Sequence, residues 1–266
     1  MSNVDKYNNK IFAISILIGL YYISTFNYVL FHSLAEMFSI VIAFGIYMFA
    51  WNSRRFLKND YILFLGIAYL FIGSLDFIHT LAYPGMGVFE GGGSTNLAAQ
   101  LWIASRYIES ISLLTAFLFL RRKLNPRTQV AVYTIVTGFL LASILYWNIF
   151  PLTFVEGVGL TPFKKISEYL ISLILLASLF VLYENKKKFD EKVFKLLASA
   201  IVVTVGAELA FTFYISAYGF SNLVGHYLKI ISFYLIYKAV IEIGLEKPFR
   251  LLLLDKGDEK DEKNSV

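Results

Sequence analysis

Apolar windows of about 20 residues recur along the whole chain, and they leave it few ways to fold. Each is long enough to cross a hydrocarbon core of roughly 30 Å at about 1.5 Å per residue. Backbone polar groups inside lipid must be satisfied within the segment, which a helix achieves and an isolated strand does not. Of the 266 residues, 58% are hydrophobic and 16% charged, too apolar a balance for a soluble domain of this size. The windows therefore predict an all-α polytopic bundle of about eight transmembrane helices. They fall at 9–26, 29–51, 61–82, 98–120, 130–150, 166–184, 195–216 and 223–244. Only Ser24-Thr25-Phe26-Asn27 separates the first two windows, and without that turn the count is seven.

The placement of charge orients the bundle. Basic residues gather after the second window (Arg54, Arg55, Lys58), the fourth (Arg121, Arg122, Lys123, Arg127), the sixth (Lys186, Lys187, Lys188, Lys192, Lys195) and the eighth (Lys247, Arg250, Lys256, Lys260, Lys263). With Lys6 and Lys10 ahead of the first, 19 of the 24 basic residues fall on one side of an eight-span arrangement. The positive-inside rule makes that side the cytoplasm and puts both termini there. Lys164 and Lys165 dissent. The net charge of +5 is thus an orientation signal directed at lipid head groups and does not imply nucleic-acid binding. The absence of cysteine excludes disulfides, thiolate metal sites and thioether-linked haem.

No soluble domain fits between the windows. Residues 1–250 read as one transmembrane unit, and 251–266, ending DKGDEKDEKNSV, as a disordered cytoplasmic tail. Gly91-Gly92-Gly93-Ser94 lacks the Gly-Lys-Ser/Thr of a phosphate loop and reads as a flexible turn, with Thr95 or Asn96 capping the fourth helix.

Function is to be sought among ionisable residues that the windows bury. A charge in hydrocarbon costs roughly 2.5–3.5 kcal/mol, so such a residue faces the bundle interior and finds a partner there. The three histidines, His32, His79 and His226, all lie in windows, as do Glu36, Asp76, Arg106, Glu109, Glu208 and Lys229. Helical rise places the histidines within roughly 6 Å of the external end and most of the others about 8–13 Å deep, with Glu109 nearest the midplane. His32 and Glu36 are spaced i,i+4; Asp76 and His79, Arg106 and Glu109, and His226 and Lys229 are spaced i,i+3, so each pair shares a helix face. Any one pair can be a structural salt bridge between membrane helices. A structural role does not explain why every histidine gathers at one depth.

Imidazoles with carboxylates form an oxygen and nitrogen ligand set for zinc, iron or copper. His32, Glu36, Asp76, His79 and His226 are the candidate metal ligands, and Trp102, Arg106, Glu109, Glu208 and Lys229 the candidate ligand-binding residues around them. Trp102 stands four residues before Arg106 and can stack on its guanidinium. Bis-histidine haem is the second cofactor option, and a metal-free pH-sensing or small-ligand site the third. The rival from another class is an intramembrane zinc hydrolase acting on a lipid amide or ester, with Asp76, Glu36 or Glu208 activating water. A transporter fits less well, because neither paired broken helices nor an inverted repeat is evident.

Several blocks resemble the membrane-associated sensor domain of the third class: Phe31–Arg55, Phe77–Phe89, Asn96–Glu109, Gly159–Tyr169 and Gly225–Phe249. The resemblance implies signal reception in the plasma membrane of a prokaryote, as the input of a histidine kinase or diguanylate cyclase. It carries over His32, Glu36, His79, Arg106, Glu109, His226 and Lys229. The chain ends about 20 residues after the eighth window, so the resemblance implies a separate cytoplasmic partner or an output domain missing from a shortened chain, with a homodimer also open. Glu246-Lys247-Pro248-Phe249 is the expected exit of the transmitting helix.

Overall fold

A computed structural model describes residues 3–57, 59–89, 93–213 and 218–245. It is an all-α bundle of eight helices: α1 (Asn3–Phe26), α2 (Tyr28–Ser53), α3 (Tyr61–Ala82), α4 (Thr95–Ala116), α5 (Pro126–Leu145), α6 (Pro162–Glu184), α7 (Glu191–Ala210) and α8 (Phe220–Tyr237). Six of them, α2 to α7, are long and apolar enough to cross a membrane. His226, Lys229 and Asn222 dilute the apolar character of α8, and the described apolar stretch of α1, Ile14–Phe26, is shorter. Large apolar side chains cover the outside, among them Ile135 and Phe139 on α5 and Leu173 and Phe180 on α6. Such a surface is stable only against lipid tails.

Local chemistry sets most helix ends. Asn27 separates α1 from α2, its side chain accepting from the Leu30 N–H at 3.0 Å. The break is thus one residue long, shorter than the four-residue turn expected there. Asn125 and Thr161 cap α5 and α6, each followed by proline at the first helical position; proline has no N–H to leave unpaired there. Asp190 caps α7. The cap of α4 is Ser94, which accepts from the Leu97 N–H, and neither Thr95 nor Asn96. Asn96 instead receives the N–H groups of Thr153 and Phe154 at 2.9 and 3.1 Å. It thereby anchors a two-stranded hairpin, β1 (Phe154–Val155) and β2 (Gly159–Leu160), that the apolar pattern did not predict. Gln100 donates to the carbonyls of Phe150 and Pro151, both at 3.0 Å, so the α5–α6 connector is fastened over the start of α4.

Packing turns six of the helices into a ring. The chief contacts run α2 to α3, α3 to α4, α4 to α6, α6 to α7, α7 to α8 and α8 back to α2. α1 lies outside against α2, and α5 outside against α3 and α4. The Tyr227 hydroxyl also ties α8 to the Leu17 carbonyl of α1 at 2.8 Å. The α2–α3 contact depends on Gly66, where an added Cβ would sit 2.3 Å from the Cβ of Ala50. Small residues at such crossings bring membrane helices close enough for dispersion forces to hold them. α8 continues as a π-helical segment, Lys238–Glu242. Lys58, Gly91, Gly92, Glu246-Lys247-Pro248-Phe249 and the tail 251–266 lie outside the described residues.

Candidate functional site

Among the described residues, the buried Asp, Glu, His, Lys and Arg side chains come from the six ring helices, and they meet inside the ring at one end. That end is where α2, α4, α6 and α8 begin and α3 and α7 finish, because the helices alternate in direction. The polar interior is arranged as two layers joined by Glu36 and Lys229.

The outer layer holds the three imidazoles. His32 from α2 is fully buried, with its ring centroid 4.8 Å from that of His226 on α8 and 5.3 Å from that of His79 on α3. It stacks on Tyr83 at 3.6 Å with an 18° interplanar angle. The Nδ1 of His79 lies 2.7 Å from the Ala98 carbonyl, and that of His226 lies 2.7 Å from the Asn222 carbonyl. A carbonyl only accepts, so Nδ1 carries the proton in both rings and Nε2 presents its lone pair when the ring is neutral. Neither Nε2 has a hydrogen-bond partner, and neither does either nitrogen of His32. Glu36 Oε1 is also without a hydrogen bond, 3.4 Å from His226 Nε2. One ligand atom each from His32, Glu36 and His79 can be chosen so that all three lie within 4.8 Å of one another. The three imidazoles border a cavity of about 30 Å³ whose wall also includes Trp102, Tyr83, Asn222 and Lys164. A space of that size admits an ion or one or two small molecules such as water.

The deeper layer is an ion-pair network. Lys229 Nζ reaches Glu36 Oε2 at 2.6 Å and Asp76 Oδ2 at 3.0 Å. Arg106 Nη2 donates to both oxygens of Asp76 at 2.6 Å, and Nη1 pairs with Glu109. Asp76 also accepts from Ser105 at 2.5 Å, and Glu109 from the Tyr69 hydroxyl at 3.1 Å. Trp102 lies under two of these cations, with Arg106 Cζ 4.7 Å and Lys229 Nζ 4.6 Å from its ring centroid, a desolvated cation–π arrangement.

The expected residues therefore converge, with one redistribution. His32, His79 and His226 line the chamber, and Glu36 stands behind them with Oε1 3.4 Å from His226 Nε2. Asp76, grouped with them on the sequence, is one layer deeper and has both oxygens engaged by Arg106, Lys229 and Ser105. It shares a helix face with His79, but the two serve different partners. Trp102, Arg106, Glu109 and Lys229 form the floor, and Glu208 stands on the α7 side, within electrostatic reach of Arg106, Lys164 and Glu168.

Sequence reasoning missed the contribution of α6. Lys164, a dissenter from the charge pattern, is 1% exposed and paired with Glu168, itself fully buried. Thr161-Pro162 starts the helix before Lys164, and the i,i+4 spacing to Glu168 was the available signal. The roles of Tyr83 and Asn222 had no signal in the sequence.

No curated protein and no solved structure matches the chain. Residues 23–248 match the family model of a membrane-associated sensor domain, MASE3. That span contains the whole ring and every residue of both polar layers, and the chain belongs to this family of membrane sensor domains.

Proposed function

We propose that the chain is the ligand-binding input of a membrane signalling system and that its ligand is a transition-metal cation held by His32, His79, His226 and Glu36. The observation that carries this reading is the set of imidazole nitrogens without hydrogen-bond partners around a small chamber, with a carboxylate oxygen that accepts no hydrogen bond 3.4 Å from one of them. Unpaired acceptors inside a membrane protein are costly, and two of the imidazoles have their other nitrogen fixed by a backbone carbonyl, as metal-ligating histidines do. The donor set suits zinc, iron or copper. The chamber's volume favours a bare ion over haem. A hydrolase would need an acid beside the ion, other than its ligands, to activate water, and Asp76 has both oxygens engaged by Arg106, Lys229 and Ser105; this favours a sensor.

Ligation also supplies a two-state element. Tetrahedral zinc with bonds of about 2.0–2.1 Å brings its ligand atoms to about 3.4 Å apart, whereas those of His32, Glu36 and His79 are spread over as much as 4.8 Å. Closing that gap draws the chamber ends of α2, α3 and α8 together and takes Glu36 charge away from Lys229. In this reading the chamber faces the outside, as the basic clusters imply, both termini lie in the cytoplasm, and α8 carries the shift inward. The receiver is a cytoplasmic enzyme of the histidine kinase or diguanylate cyclase type in a prokaryotic plasma membrane. A ligand can shift such an equilibrium only through different affinities for the two states.

Elemental analysis of purified protein, stripped with chelator and reloaded with zinc, iron or copper, tests the site. About one ion per chain is expected in wild type, falling sharply in His79→Ala and His226→Ala. A wild-type ratio near zero with all three metals refutes it. Spin labels at the inner ends of α2 and α8 test transmission, and an interlabel distance unchanged by the bound metal rejects that part.

A further inference from the structure

The α6–α7 side of the ring holds an arrangement that the metal reading does not use. Among the five buried carboxyls of the described residues, Glu36 and Asp76 share Lys229, Asp76 and Glu109 share Arg106, and Glu168 takes Lys164. Glu208 makes no ion pair among the described residues, although it is only 1% exposed. It lies within hydrogen-bonding reach of Glu168, and one oxygen of each carboxyl, Oε2 in both, has no hydrogen-bond partner. Arg106 has an unused donor in Nε, yet Glu208 Oε2 does not receive it. Two ionised carboxylates in contact within a low-dielectric interior repel strongly, and each bare oxygen forfeits its hydration. One proton between them removes both penalties.

We propose that Glu168 and Glu208 form a proton-binding site, in which Glu208 is the neutral acid and donates to Glu168 while Glu168 keeps its ion pair with Lys164. The charged groups facing Glu208 are Glu168 and Lys164 from α6 and Arg106 from α4. The polar groups of α8, which also packs on α7, face other partners: Lys229 pairs with Glu36 and Asp76, His226 Nδ1 meets the Asn222 carbonyl, and His226 Nε2 lies 3.4 Å from Glu36 Oε1. Lys164 connects the two sites, since it pairs with Glu168 and also lines the chamber. The five acids outnumber Arg106, Lys164 and Lys229 by two, and a proton on this pair or a cation in the chamber each reduces the same excess. Protons are thus a second input to the polar interior.

Infrared spectroscopy of the full chain in liposomes, washed with chelator at neutral pH, reads the proton directly. Wild type should show a protonated-carboxyl band that shifts on H/D exchange and persists in Glu36→Gln. Glu208→Gln should delete the band. Glu208→Asp, which keeps an acid at the same place, should move the band without deleting it, and so separates loss of the proton from loss of the fold. Absence of the band from wild type, or its survival in Glu208→Gln, overturns the proposal, whatever the metal content proves to be.

Discussion

Lys229 is the residue whose removal should expose the logic of the deeper layer. It is 4% exposed and reaches two acids, Glu36 at 2.6 Å and Asp76 at 3.0 Å. Lys229→Met keeps most of the side-chain volume and deletes the charge. Asp76 retains Arg106, but Glu36, fully buried, is left with the imidazoles alone. Breaking a buried pair in this way costs about 3–5 kcal/mol, because the surviving charge has neither partner nor water. At about 2–4 °C per kcal/mol for a chain of this size, the melting temperature should fall by about 6–20 °C. The measurement is thermal unfolding of chelator-treated protein in detergent, followed by tryptophan fluorescence and far-ultraviolet circular dichroism. The double variants decide the assignment. Lys229→Met with Glu36→Gln should recover most of the loss, since the stranded charge is gone. Lys229→Met with Asp76→Asn should recover little, because it also weakens the Arg106 pairing. An undisturbed Lys229→Met, or rescue by Asp76→Asn in place of Glu36→Gln, would refute the pairing scheme.

Three further outcomes follow from the same geometry. Lys229→Met should bind zinc about tenfold more tightly than wild type by competition with a fluorescent chelator, because Glu36 no longer divides its charge; equal or weaker binding counts against Glu36 as a ligand. Trp102→Leu should destabilise the fold by about 2 kcal/mol or more in the same melting assay, since two desolvated cations lose their aromatic face; a change below about 0.5 kcal/mol would reduce the stack to simple packing. Gly66→Leu should abolish the folded state, judged by monodispersity on size exclusion, because even a single added carbon would approach Ala50 to 2.3 Å; an unaffected elution profile would mean that α2 and α3 separate without cost.

The positions of the helices and the identities of the buried charges were readable from the linear chain, and both for one reason. Lipid penalises a polar backbone and an unpaired charge wherever they occur, so apolar length reports a helix and a charge within it reports an inward face. Helical rise then placed His32, His79 and His226 at a common depth. Their convergence, and the two-layer site below them, depended on lateral packing, which periodicity does not encode. Three-dimensional neighbours made Asp76 a partner of Arg106 and Lys229 and kept it from the imidazoles, while sharing a face with His79 had suggested otherwise. Those neighbours also turned Lys164 from a loop cation into a buried partner of Glu168, and closed α2, α3, α4, α6, α7 and α8 into a ring with α1 and α5 outside. The proton positions on His79 and His226 were settled by the carbonyls of Ala98 and Asn222, one from a neighbouring helix and one from within α8. Solvent transfer costs act on each residue separately and are legible in one dimension; pairing energies depend on distances between helices and exist only once the bundle has packed.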